Sequence, residues 1–449
     1  MEFSVVEGLR TIKFDLVFSL ALAAIALFAG YFVQRRVGFL SRANIPAAAV
    51  GGLLFAGLVF ALRSGGVAGV ALNTSLRAPL QTAFFTTIGL GATTALLRAG
   101  GWRMGFFWIL ATLTAVVQNV VGVALALALG APAMLGVICG ALTLTGGPAT
   151  GLAWADRFET LGISGAGSLI IASAMFGIFT SSLVGNPVAT ALIRRLRLAP
   201  REQSAKESAE ESAEESEFWA LSPTIAPDEE AESARASADE GVAAGDDETK
   251  LTAGVLLHNL LLVLVVMGVG AVVGLLITSG ANALLARFFA GGTFVLPDYI
   301  GAMTIAAVVR NVDDRTRLFR LNERAIELIA GVALALFLVI ALMSLELWKI
   351  AGLALPMIVI LCVQVLVMVA YAVLVTFPLM GRDYEAAVTA GGHIGFGLGT
   401  TANAVANMEW LVERCAPAPR SFLVVPIVGA FFIDFSNALV IFLFTLFKR

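Results

Sequence analysis

Two short stretches hold most of the residues whose types and spacing could do chemistry. Leu142 to Trp154 contains Thr145, Gly146, Gly147, Thr150 and Gly151. Ala390 to Met408 reads AGGHIGFGLGTTANAVANM and contains Gly392, His393, Gly395, Gly397, Thr400, Thr401, Asn403 and Asn407. Glycine at this density is not expected to make a stable helix interior. Inside a bilayer, broken backbone survives only where protein covers it or where it lines an aqueous cavity. Unwound segments there expose N–H and C=O groups, natural ligands for anions and alkali cations. Both stretches are therefore expected to line a binding site. The alternative is that their glycines only let helices pack closely.

Composition sets the surroundings. The chain has 449 residues, 59% hydrophobic and 14% charged, with a mean hydropathy of +0.90. These values lie outside the soluble globular range. Several apolar runs exceed the roughly 18 residues that cross a bilayer. No cleavable signal is expected, because the first apolar run is followed by Gln34-Arg35-Arg36. Cys139, Cys362 and Cys415 are scattered and odd in number, which argues against a disulfide framework or a zinc site. The net charge of −3 is partly set by one acidic insert and says little about partners. No basic stripe with interleaved aromatics suggests nucleic acid. With two histidines, no HExxH and no Ser–His–Asp candidate, the chain is not expected to be an enzyme. No phosphate-binding loop points to ATP.

The expected spans are Phe14 to Val33, Ile45 to Leu62, Pro79 to Leu97, Met104 to Leu129 and Ser164 to Ile193. After the insert come Thr252 to Thr278, Leu296 to Val309, Ala325 to Met343, Leu353 to Pro378 and Ser421 to Phe447. Residues 200–250, rich in Ala, Ser and Glu, read as an acidic linker, disordered or partly helical. An outside N-terminus places most of the 29 basic residues, among them Arg35, Arg36, Arg194, Arg195, Arg315 and Arg317, on the inside. The two termini are then outside and the linker is cytoplasmic.

The halves echo each other. Gln118 precedes Gly147 by nearly the interval that separates Gln364 from Gly392, and Asn186 near the end of one half matches Asn437 near the end of the other. An odd number of crossings per duplicated unit gives an inverted repeat, the recurrent plan of secondary transporters. The expected fold is an all-α polytopic membrane protein of about ten transmembrane helices in two inverted-topology repeats. Each repeat carries a re-entrant Gly-rich hairpin. The repeats are 1–199, with its hairpin at about 133–155, and 251–449, with its hairpin at about 387–409.

SLRAPLQTAFFTTIGLGA, TLTGGPATG, AGGHIGFGLGTTANAVANM and LVVPIVGAFFIDFSNALV resemble the glutamate:sodium symporter family. The resemblance covers nearly all of the chain outside the linker. It implies uptake of L-glutamate driven by a sodium gradient across the bacterial cytoplasmic (inner) membrane. Sodium is then co-transported, and no organic cofactor is needed. It also implies a homodimer in the lipid bilayer, with a moving transport part and a static scaffold. In one place the chain departs from the pattern. The family's first loop commonly reads GGHGTG, where this chain has Gly146-Gly147-Pro148-Ala149-Thr150-Gly151. Proline removes an imidazole and one N–H donor, so a sodium- or proton-coupled symporter of another small di- or tricarboxylate stays open. A sodium/proton antiporter would call for a membrane-embedded acidic pair, and only Asp434 is clearly placed.

For such a substrate, half-helix N-termini would face the carboxylates. The expected substrate residues are Thr145, Gly146, Gly147, Thr150 and Gly151 in the first loop. In the second they are Gly392, His393, Gly395, Gly397, Thr400, Thr401 and Asn403. His393 could donate to a carboxylate or serve as a satisfied structural residue. Sodium wants hard oxygens, and the candidates are Gln118, Asn119, Gln364, Asn407, Asp434 and Asn437. The alternative for the amides is helix–helix hydrogen bonding. Asp434 is the one acid in the middle of an apolar span, costly there unless paired, solvated or bound to a cation. Arg310 reads best as part of a basic cytoplasmic loop.

Overall fold

A computed structural model describes residues 2–6, 9–38, 40, 45–198, 252–288, 298–349 and 351–446. The expected linker and the start of the span at Leu296 lie outside the described residues. Strands β1 (Glu2–Val6) and β2 (Leu9–Lys13) pair antiparallel, and β3 (Gly69–Ala71) joins β2 in parallel. This small sheet was not anticipated; it ties the start of the chain to a later loop.

Helices make up the rest. The first half contains α1 (Leu16–Arg36), α2 (Ala47–Ser64), α3 (Arg77–Gly91) and α4 (Gly101–Ala128). It continues with α5 (Ala133–Leu142), α6 (Gly147–Ala153), α7 (Ala155–Thr160) and α8 (Ala166–Arg195). The second half contains α9 (Ala253–Phe288), α10 (Asp298–Thr316), α11 (Glu323–Met343) and α12 (Ala354–Leu379). It ends with α13 (Tyr384–Leu398), α14 (Thr401–Arg414) and α15 (Pro419–Leu446). Capping follows local chemistry. The Asp15 carboxylate accepts the Phe18 N–H at 3.0 Å ahead of α1, which holds that carboxyl below its usual value.

Eight described helices are long and apolar enough to cross a membrane. The expected count of about ten also took in α3 and α10. Among these, α3 has 15 residues and stops at Gly91, because Ala92 leaves the helical region. Asn311 holds it there, donating to the Ala92 carbonyl at 2.9 Å and accepting from the Thr94 N–H at 2.7 Å. The end of α10 is polar, carrying Arg310, Asp313, Asp314 and Arg315.

Packing divides the helices into two groups. In the first, α1 packs on α2, α9 on α10, and α3 on both α10 and α11, while α11 also meets α2. In the second, α4 packs on α5, α12 and α15, and α8 packs on α13 and α14. Contact between the groups is sparse and runs chiefly through α3, which touches α6 and α15. Small residues permit the closest crossings: a Cβ on Gly51 of α2 would collide with the Ala26 carbonyl of α1.

Candidate functional site

A cavity of about 1190 Å³ lies between the two groups. From the second group it is lined by residues 145–150, by residues 399–402 and by the segment of α15 around Gly429 and Asp434. From the first it is lined by Phe84, Phe85 and Thr87 of α3, by Arg35, Arg310, Glu323 and Glu327, and by apolar residues of α11.

The local backbone explains why two breaks meet here. α5 ends in a π-helical turn, Ile138–Leu142, with a non-helical backbone at Gly140. The Thr143 hydroxyl donates to the Ile138 carbonyl at 2.6 Å, and the Gly146 N–H reaches the Ala141 carbonyl at 2.9 Å. Gly147 takes φ 68°, a left-handed conformation that favours glycine, and starts α6. Pro148 follows in the first turn of α6, where the missing N–H breaks no helical bond. The second break falls at Gly399, after which the Thr400 side chain caps α14 by accepting from the Asn403 N–H at 3.4 Å. A Cβ placed on Gly147 would sit 3.6 Å from the Gly399 carbonyl oxygen and 3.6 Å from Thr400 Cγ2. The two breaks are close enough that a single methyl group on Gly147 would bridge the gap between them.

Gln118 of α4 ties them together. Its Oε1 accepts from the Thr145 hydroxyl at 2.7 Å, and its Nε2 donates to the Gly397 carbonyl at 2.7 Å. Its own backbone carbonyl accepts from Gln364 Nε2 at 2.6 Å. Beside it, Asn119 Oδ1 accepts the Ala141 N–H at 2.9 Å, and Asn437 Nδ2 donates to the Ala141 carbonyl at 3.0 Å. All four amides are fully buried. Gln364 Oε1 and Asn437 Oδ1 are buried acceptors without a hydrogen-bond partner among the described residues, a state that costs free energy unless another group or an ion engages them.

Asp434 is buried on the cavity wall and accepts from the Thr150 hydroxyl at 3.1 Å. It follows another π-helical turn, Val428–Phe432, which lies just after Pro426 and swells α15 where the wall forms. Such turns recur at functional sites.

Of the expected substrate residues, Thr145, Gly146, Gly147, Thr150, Thr400 and Thr401 line the cavity. Gly151, Gly392, His393, Gly395, Gly397 and Asn403 stand behind its wall. For four of these the close-packing alternative describes the geometry. A Cβ on Gly151 would lie 2.6 Å from Ile170 Cγ2, on Gly392 2.5 Å from Met408 Sδ, on Gly395 2.5 Å from Ala404 Cα and on Gly397 2.7 Å from Met368 Sδ. The His393 ring is fully buried, with Nδ1 2.8 Å from the Thr376 hydroxyl and Nε2 3.3 Å from that of Thr114. Phe107, Tyr371 and Phe396 surround it. Its placement is that of a structural histidine. Asn403 Nδ2 donates to the Ser182 hydroxyl at 3.0 Å, and Asn407 Nδ2 donates to the Ser181 carbonyl at 3.3 Å. Of the expected sodium residues, only Asp434 lines the cavity; Gln118, Asn119, Gln364, Asn407 and Asn437 lie behind it.

Sequence reasoning passed over Arg310 as a wall residue. It holds Glu323 at 2.5 Å and Asp314 at 2.8 Å. The signal lay in its position, the first charge after an apolar run, but a loop arginine looks the same in sequence.

The family model for the sodium/glutamate symporter matches residues 12–224 and 219–417. The chain is 37% identical over 429 residues to the sodium/glutamate symporter of Escherichia coli (strain K12), covering 95% of this chain and 96% of that one. The same figures hold for the symporter of Shigella flexneri. The Haemophilus influenzae sodium/glutamate symporter is 34% identical over 422 residues, 94% of each chain. With apolar helices enough for a multi-pass membrane protein and a family match along most of its length, the chain belongs to the sodium/glutamate symporter family.

Proposed function

We propose that this protein takes up L-glutamate by sodium-coupled symport across the bacterial inner membrane, alternating access about the cavity between its two helix groups. The observation that carries the reading is the convergence of two chain breaks, one from each half, on a cavity whose wall holds the buried Asp434.

At Gly146, Gly147 and Gly399 the wall can offer only main-chain atoms, which suits a carboxylate facing backbone N–H groups. Thr145, Thr150, Thr400 and Thr401 add hydroxyls. Sodium, as cargo, is placed at Asp434 and Thr150, whose oxygens are hard ligands. The unpartnered oxygens of Gln364 and Asn437 are each hard acceptors that a further cation could engage. Gln118 and Asn119 act by fixing the breaks in place.

Several features support the finer architecture. The order of elements after residue 252 repeats the order before it: two paired helices, a third, a long fourth, a broken pair and a last long helix. We read the broken pairs α5–α6 and α13–α14 as re-entrant hairpins and the halves as inverted repeats. The group formed by α1–α3 and α9–α11 is the scaffold, and the other group moves. Basic last turns on α1 (Arg35, Arg36) and α8 (Arg194, Arg195) favour termini outside and the linker inside. The homodimer implied by the resemblance belongs to the same reading.

The test is uptake of labelled glutamate into proteoliposomes with an imposed sodium gradient and without one. Accumulation should require the gradient. Uptake driven by a proton gradient alone, or competition by citrate with none by glutamate, would overturn the assignment.

A further inference from the structure

The geometry points to Arg310 as an unloading contact that receives the substrate carboxylate at the cytoplasmic mouth of the cavity. The inference rests on the sodium-coupled glutamate reading and deepens it.

Arg310 stands near the end of α10, in the scaffold group, across the cavity from the two chain breaks. In the orientation proposed above, the end of α1, the end of α10 and the start of α11 all lie at the cytoplasmic face. Arg35, Arg310 and Glu323 mark that end of the cavity. The conformation is then one open inward, and a substrate leaving the breaks passes this wall.

The wall is unfavourable to an anion without Arg310. Among the described residues, the charged side chains lining the cavity are Arg35, Arg310, Glu323, Glu327 and Asp434, so carboxylates outnumber cations. Arg35 is exposed, whereas the Arg310 side chain is only 15% exposed and is held in place by Glu323 and Asp314. Those two partners are 31% and 34% exposed. The cation is therefore fixed while the carboxylates around it reach water. A guanidinium carries five donors, and the two ion pairs engage Nε and Nη2. An arriving carboxylate can take further donors or displace the partly solvated Glu323, exchanging one charge-assisted pair for another. Exchange of this kind costs little and is reversible, as release requires.

Arg310 belongs to the group that does not carry the breaks. A contact made from there exists only while the cavity faces inward. A contact confined to one state shifts affinity in that state alone. Arg310 should therefore govern glutamate affinity on the cytoplasmic face and leave the outer face untouched.

The experiment compares half-saturation for glutamate on the two faces, in right-side-out and inside-out membrane vesicles, for the unaltered protein, Arg310→Gln, Arg310→Lys and the double variant Arg310→Gln/Glu323→Gln. Arg310→Gln should raise the cytoplasmic half-saturation about tenfold, with the outer value changed less than about twofold. Arg310→Lys keeps the charge without the fork and should fall between; it carries the test if the glutamine variant does not insert. The double variant should stay as weak as Arg310→Gln. Equal changes on both faces, an unchanged cytoplasmic value, or full recovery in the double variant would each overturn the proposal. Recovery would mean that Arg310 only neutralises Glu323. Failure of the unaltered protein to couple glutamate to sodium would instead overturn the transport reading itself.

Discussion

Replacing Gln118 by methionine keeps length and flexibility while removing both polar ends. The Thr145 hydroxyl and the Gly397 carbonyl, each bonded to Gln118 at 2.7 Å, would lose their partner in a fully buried setting. An orphaned buried donor or acceptor costs about 1–3 kcal/mol, so the two together predict about 2–6 kcal/mol. Interhelical hydrogen bonds inside membranes have averaged nearer 0.6 kcal/mol, because the unfolded chain in lipid also finds partners. Thr145 and Gly397 each sit beside a chain break, where relaxation toward a new partner would shift the break, so the lower half of the larger range is expected. Thermal unfolding of the detergent-purified protein measures the loss, and sodium-driven uptake reports its effect on the site. Thr145→Val removes one of the same two bonds. Gln118→Met/Thr145→Val should therefore cost less than the sum of the single changes, by about 0.5–3 kcal/mol. Strict additivity, or a methionine variant with unaltered melting and unaltered glutamate KM, would refute the idea that Gln118 couples the breaks.

Gly395→Ala should lower uptake at least about tenfold without loss of helix content, because overpacking costs about 1–3 kcal/mol and must be relieved by spreading α13 from α14. The added methyl would sit 2.5 Å from Ala404 Cα and 2.7 Å from its nitrogen, and a backbone atom cannot swing aside. Wild-type turnover in this variant would show that the two arms are not tightly fitted during transport. Asp434→Asn keeps the shape and an acceptor for Thr150 but removes the anion. Its sodium half-saturation should rise by about tenfold or more, and Thr150→Val should give a smaller shift. An unchanged sodium curve would detach Asp434 from coupling.

Much of this arrangement was legible in the residues. Long apolar runs gave the helices, and glycine clusters located both chain breaks. Asp434 stood out because an acid in the middle of an apolar span must have a reason to be there. What stayed hidden depends on which way a helix face points. Within Ala390 to Met408, composition could not separate Gly392, Gly395 and Gly397, which serve packing, from Thr400 and Thr401, which reach the cavity. The distinction comes from α13 continuing to Leu398, because close contacts with Met368, Ala404 and Met408 stabilise a helix that propensity alone disfavours. His393 was drawn into the expected site by its neighbours, yet its ring points to Thr114 and Thr376. The π-helical turns were also invisible. Each adds a residue to a helix turn without a sequence mark of its own, although Pro426 stands next to one of them.

The glycines on the cavity wall bear on how mutagenesis of this protein is read. A loss of uptake in an alanine scan usually means that a side chain has been taken away. At Gly146, Gly147 and Gly399 there is none to take, and the same substitution adds bulk and bends the peptide groups beside it. A damaged variant at these positions reports a displaced main chain, so the informative partner experiment is one that alters the amide itself, by backbone ester replacement.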